Sequence, residues 1–191
     1  MHKLIRYIII LLCFLCGSVY AQFLEDDPEL DMNRKPLPPY SIRKVHLDET
    51  FTPFEFIDLN GRTWTNRNEL TRPFLIITGK WALRHDIKIW AHYLSYKYLN
   101  FCDIIWVFNP DSTEFANHRE EKEKLLKSYA MAIPVVIDSH AIIGRSLRLD
   151  YDIPTLIGIN RHNRLGFVYE SPCNEIAKQQ LQDLMLTRLF K

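Results

Sequence analysis

Phe74-Leu75-Ile76-Ile77-Thr78, running straight into Gly79-Lys80-Trp81-Ala82-Leu83-Arg84-His85, decides the fold of this chain. The first five residues are a continuous apolar run, the pattern of a strand covered on both faces. The chain then reads as a helix from about Ala82 to Leu99. Ile89, Trp90, Tyr93, Leu94 and Tyr98 recur there at three- and four-residue spacing. A second strand, Asp103 to Phe108, comes next, and Asn109-Pro110-Asp111 then turns the chain. Strand, helix and strand in that order are the start of an α/β domain.

Working outward, Phe54 to Leu59 and Arg62 to Thr65 flank Asn60-Gly61, a strong hairpin signal in which both turn residues take positive φ. Asn66 to Leu70 is read as one helical turn. Downstream, Asp111 or Ser112 caps a helix reaching about Met131. Its middle, Arg119 to Lys124, mixes both signs of charge and predicts a solvated face. Pro134 to Asp138 reads as a short strand and Ile142 to Leu149 as a short helix. Ile153 to Ile159 and Leu165 to Glu170 are two further strands joined by Asn160-Arg161-His162-Asn163. In the last helix Ser171 caps and Pro172 takes the first helical position, with Ile176, Leu181, Leu184 and Leu189 on the apolar side.

The chain has 191 residues, of which 47% are apolar and six are glycine, a composition that excludes a fibrous or wholly disordered protein. Residues 1 to 21 read as a signal peptide: Lys3 and Arg6, then an apolar stretch from Tyr7 to Val19, then Val19-Tyr20-Ala21 as the cleavage site. That stretch is short for a membrane span, so membrane association is expected only through an uncleaved leader. Without Lys3 and Arg6, the net charge of +1 falls to about −1, which leaves no electrostatic footprint for nucleic acid. Residues 22 to 46 read as a flexible arm, acidic at Glu25-Asp26-Asp27-Pro28-Glu29 and extended at Lys35-Pro36-Leu37-Pro38-Pro39. The folded domain spans 47 to 191, and the leader places it in the periplasm or outside the cell. Cys13 and Cys16 leave with the leader, so the exported chain keeps Cys102 and Cys173.

The ordered set of Asp58-Leu59-Asn60-Gly61-Arg62, the Phe74 strand, Ile137-Asp138 with a short helix, Ile153-Pro154-Thr155, a hairpin and a closing helix resembles the thioredoxin superfamily. Within it the resemblance is to the redoxin branch, peroxiredoxins and periplasmic thiol-disulfide oxidoreductases, over roughly residues 48 to 190. It implies a central mixed sheet flanked by helices, preceded by an N-terminal β-hairpin. It also implies that Pro154 faces the active site through a cis peptide bond. In that family the residues after the first core strand open into Cys-x-x-Cys; here the two cysteine slots fall on Ala82 and His85. A methyl group cannot attack a disulfide. The peroxiredoxin arrangement is missing too, since no cysteine lies between residues 22 and 101.

Two functions of different class are open to such a chain. In the first, it is a redox-inactive module that holds an extended peptide or a protein partner on the former active-site face, with Trp81, Ala82, Arg84, His85, Ile153 and Pro154 as binding residues. Trp81 is equally readable as core. In the second, Cys173 acts as an unusual nucleophile in an oxidoreductase; as second residue of the last helix it would gain from the helix dipole. Scattered histidines show no ligand spacing. His85 and His92 lie seven residues apart, whereas a helical ligand pair is spaced by four, so no metal or other cofactor is expected. In the family's strand order Cys102 and Cys173 flank the two outer core strands. Three spacings of about 4.8 Å then separate them, near 14 Å, against the roughly 7 Å a disulfide allows, and no bond between them is expected.

Overall fold

The computed structural model describes residues 41–43, 47–68, 70–109, 119–130, 133–149 and 151–190. The leader, most of the arm and the start of the helix expected at Asp111 or Ser112 lie outside the described residues.

Phe74–Gly79 forms β4, and all six residues are buried. It is buried because it is central: it pairs in parallel with β5 (Asp103–Phe108) and antiparallel with β7 (Thr155–Ile159). β8 (Leu165–Glu170) pairs antiparallel with β7, and β6 (Val135–Ile137) extends the sheet beyond β5. Ser41–Arg43, inside the stretch read as a tether, forms β1 on the outer side of β8. The six-stranded order is β1-β8-β7-β4-β5-β6. Its inner four strands carry the arrangement that the family resemblance implied.

Side-chain alternation divides β4 between two cores. Phe74 and Ile76 join the cluster of Phe54, Trp64, Ile143 and Leu147, with Phe54 and Trp64 edge-on to Phe74 at 5.7 and 6.1 Å. Leu75 and Ile77 are equally buried and fall on the opposite face. α1 (Arg84–Tyr98) follows a 3-10 turn at Trp81–Leu83 and buries Ile87, Trp90, Ala91, Leu94 and Tyr98. Ile89 and Tyr93, expected on that stripe, are half-buried at its margin. α2 is described over Arg119–Tyr129 and α3 over Ile142–Leu147. α4 (Glu175–Leu184) continues into a π-helical turn at Met185–Leu189.

The β-hairpin is present as β2 (Glu55–Ile57) and β3 (Thr63–Thr65), with a different turn from the one expected. Of Asn60 and Gly61, only Gly61 has positive φ, at 85°. Gly61 N–H donates to Asp58 C=O at 2.9 Å, and Asp58 N–H to Arg62 C=O at 2.9 Å, a three-residue loop with its left-handed position at glycine. Asp58 explains the change. Its Oδ1 accepts from the Asn60 and Arg62 amides at 2.8 and 3.0 Å, and its Oδ2 from Trp64 Nε1 at 2.8 Å. Burial pushes this carboxyl up, but the Trp64, Arg62 and Asn60 donors and the Arg62 charge outweigh it and hold the group below its ordinary value. The turn is seated against the sheet, where Leu59 N–H donates to Val135 C=O at 2.9 Å.

Among the described residues 66–68 and 70, the helical turn expected at Asn66–Leu70 is not seen. The buried Asn66 side chain accepts from Phe54 N–H at 2.6 Å and donates to Thr52 C=O and Asn163 Oδ1 at 3.1 and 2.9 Å. A side chain that bridges three segments competes with local helix, which is why asparagine favours turns. The cap of the last helix also moves. Asn174 is the N-cap, its Oδ1 accepting from Ala177 N–H at 2.9 Å, and the helix begins at Glu175 instead of Pro172.

Candidate functional site

The C-terminal end of β4 and the start of β7 meet because the two strands are antiparallel, with Thr78 opposite Thr155. Gly79 ends β4 where α1 folds back over it. A Cβ there would come within 2.8 Å of Ile87 Cδ1 and 3.3 Å of Leu83 Cδ1. Across the gap, Lys80 N–H donates to Tyr151 C=O at 3.3 Å, and Lys80 Nζ pairs with Asp152. The loop that carries Ala82 and the loop that carries Ile153-Pro154 are thereby held at one edge of the sheet.

The residues named from sequence separate into two groups at this edge. Ala82 is exposed, and His85 and Ile153 are half-buried, so these three border solvent. Trp81 and Arg84 are packed inward, against the expectation that they face a partner. Trp81 is 1% exposed. Its ring meets Phe108 edge-on at 5.6 Å, with the Arg84 guanidinium 4.8 Å and Lys122 Nζ 5.3 Å from its centroid. Arg84 also donates to Trp81 C=O at 3.2 Å.

Pro154 is buried, and its peptide bond is trans, since the described residues contain no cis bond. The family's cis bond is therefore not reproduced. The chain turns into β7 at Tyr151 instead, whose φ is +59°. Ile153 C=O accepts from Thr155 Oγ1 at 3.0 Å. Burial and the nearby Asp138 charge push the Tyr151 phenol up to about 12, against the effect of a Gly144 backbone hydrogen bond, so it stays a neutral hydroxyl.

Cys173 reaches the same edge, after the end of β8, but it is not inside the last helix. It precedes the Asn174 cap and so lies outside the first turn, where the dipole would favour a thiolate. Burial pushes its thiol up to about 12; Lys178 pulls it down, while Glu175 and Asp86 add to the rise. Trp90 Nε1 donates to Ser171 C=O at 2.9 Å, which ties the segment leading to Cys173 to α1. Cys102 lies before β5, at the other end of the sheet, and burial raises its thiol to about 12 as well. Both thiols are free. At neutral pH, alkylation of native Cys173 by iodoacetamide is expected to run on the order of a thousandfold slower than that of an ordinary exposed thiol, because each unit of pKa removes a factor of ten in thiolate. Rapid stoichiometric labelling of the native protein at pH 7 would contradict this.

Sequence reasoning missed several residues at this edge. Lys80, Tyr151 and Asp152 link the two loops; Ile176, expected on the apolar side of the last helix, is instead 65% exposed. The charge of Lys80 and Asp152 was legible; their proximity depends on the Thr78–Thr155 register, which no local pattern displays. Among the described residues no group of three or more histidine, cysteine, aspartate or glutamate side chains could hold a metal ion.

Solved structures share this architecture. A thiol-disulfide isomerase from Corynebacterium glutamicum superposes with a TM-score of 0.58 at 11% identity, covering 74% of this chain and 97% of its own. The fold is thioredoxin-like. The thioredoxin domain of a thiol-disulfide oxidoreductase from Bacteroides vulgatus gives a TM-score of 0.52 at 15% identity, over 72% of this chain and 97% of that one. An exposed lipoprotein thioredoxin from Streptococcus pneumoniae gives 0.52 at 15%, over 71% and 99%. No family model and no curated protein matches the sequence. The thioredoxin-like fold is thus kept at a level of identity that carries architecture alone. No helix of the described residues is long and apolar enough to cross a membrane.

Proposed function

We propose that this chain is an exported thioredoxin-like module without standard thiol redox chemistry, which holds an extended peptide or a protein partner at the edge formed by Ala82, His85, Ile153 and Pro154. One observation carries the reading. The Thr78–Thr155 register and the Lys80–Tyr151 hydrogen bond bring the two loops of a thioredoxin-like active site together, while the cysteine slots hold a methyl and an imidazole. That face keeps the half-buried Ile153 beside the exposed Ala82, apolar surface against which the side chains of an extended segment can pack. The rival reading, an oxidoreductase that uses Cys173, is disfavoured because the thiol remains protonated at physiological pH.

The test is site-directed photo-crosslinking in the organism's own extract. A crosslinker at Ala82 is expected to recover a defined partner, and one at Tyr96, 89% exposed on α1, is expected not to. Ile153→Asp in the Ala82-crosslinker protein should cut recovery by about tenfold or more, since an interface anchor lost from a packed contact is worth about 2 kcal/mol. Equal recovery from both positions, or indifference to Ile153→Asp, would remove the proposal.

A further inference from the structure

The loop before β7 contains a strained residue that local sequence does not explain. Tyr151 is a bulky aromatic in the left-handed region, with φ +59°, where such side chains are true outliers. Its neighbourhood over-determines that conformation. The phenol is seated so closely over α3 that a Cβ at Gly144 would run into the phenol oxygen and lie 2.5 Å from Cζ. Only glycine fits beneath it. From the same residue, the carbonyl accepts from Lys80 N–H at 3.3 Å, and the next side chain, Asp152, pairs with Lys80 Nζ. One ring seated over α3 therefore aims two polar groups at the segment that leads into Ala82.

We infer that Tyr151 is the positioning residue of the candidate binding edge: its phenol, seated over Gly144, holds the left-handed turn whose carbonyl and following carboxylate fix the Ala82 loop against the Ile153-Pro154 loop. This rests on reading that edge as the binding face. The physical logic is that of a clamp. A strained backbone persists where the surrounding structure holds it, and strain of this kind gathers at ligand-gripping sites. Gly144 lies on α3, outside the pair of loops that border the edge, so the clamp can be opened without altering Ala82, His85, Ile153 or Pro154.

Amide hydrogen exchange on the full chain, measured by NMR without any partner, tests this. In Gly144→Ala the new methyl must displace the phenol. The Lys80 amide should then exchange at least about tenfold faster, while the amides of Ile76 and Ile157 in the sheet interior change less. Tyr151→Phe keeps the ring and removes the hydroxyl; a smaller acceleration at Lys80 is expected. In a Tyr151→Ala background the clash is gone, so adding Gly144→Ala should produce no further change, a non-additivity that marks two groups acting through one contact. Unchanged Lys80 exchange in folded Gly144→Ala would overturn the clamp. So would an undiminished Gly144→Ala effect in the Tyr151→Ala background. If Gly144→Ala fails to fold, Tyr151→Phe decides alone: no acceleration at Lys80 overturns the clamp. Because no partner is present, a failed crosslinking experiment would remove the binding reading and leave this result untouched.

Discussion

The Ala82→Cys, His85→Cys double variant is expected to close a reversible intramolecular disulfide that the parent chain cannot form. The two positions are three residues apart where the 3-10 turn at Trp81–Leu83 passes into α1, and Ala82 is exposed. Residues with that spacing on a helix have Cβ atoms about 5–6 Å apart, within reach of small adjustments that let a disulfide close. The thiol at position 82 should also be acidic. Unlike Cys173, which precedes its helix, position 82 is the second residue of a helical segment that opens with the 3-10 turn Trp81–Leu83 and runs on through α1, so unsatisfied first-turn amides favour an anion there and the thiol should titrate below the ordinary value of about 8.5. Loss of free thiol on mild oxidation and its return with reductant would show the bond, and pH-dependent alkylation would give the pKa. A double variant that keeps both thiols free under oxidation would show that this turn lacks the geometry of a thiol enzyme's active site. The likeness to thioredoxin-like structures would then end at the backbone.

Trp81→Ala is the other change of large expected effect, and its readout is stability. The indole is fully enclosed, edge-on to Phe108 and bordered by the Arg84 and Lys122 cations. Truncating such a ring costs about 3–5 kcal/mol from lost burial and the cavity left behind. For a domain of this size, about 1 kcal/mol moves Tm by roughly 2–4 °C, so a fall on the order of 10 °C is expected. Thermal unfolding followed by circular dichroism measures it. An unchanged Tm together with lost partner recovery would return Trp81 to the binding face, where the sequence alone had allowed it.

The contrast between Trp81 and its neighbours shows where sequence reading stops. β5 and β8 were legible to the residue because each is an apolar run with polar or turn-forming flanks, Asp103–Phe108 and Leu165–Glu170. β4 was legible from the same physics, and the order of strands and helices around it pointed to the right architecture. The turn at Asp58 was harder, since the type of turn depends on a carboxylate collecting two amides and the Trp64 indole. The last helix was read as capped by Ser171, and tertiary structure moves the cap to Asn174. Ser171 is buried, with its carbonyl held by Trp90, so the segment is already committed before the helix begins. That displacement of three residues removes Cys173 from the dipole, and burial then raises its pKa unopposed by it. At the candidate edge, the presence of Ala82 and Pro154 on one side of the molecule was inferable. The inward turn of Trp81 and the left-handed Tyr151 were not, because each shows only in the packing: Trp81 against Phe108, and Tyr151 over Gly144 of the helix just before it.

The seating of the Leu59 turn against Val135 bears on how this protein behaves when concentrated. β6 is the last strand on its side of the sheet and only three residues long. Outermost strands present open amides and carbonyls to which a neighbouring molecule can add a strand of its own. Here the hairpin tip takes the Val135 carbonyl, and Asp58 bridges to Val136, so the molecule supplies its own cover at that border. A shortened or misfolded hairpin would uncover it, and the first symptom would be self-association, ahead of any loss of the central strands.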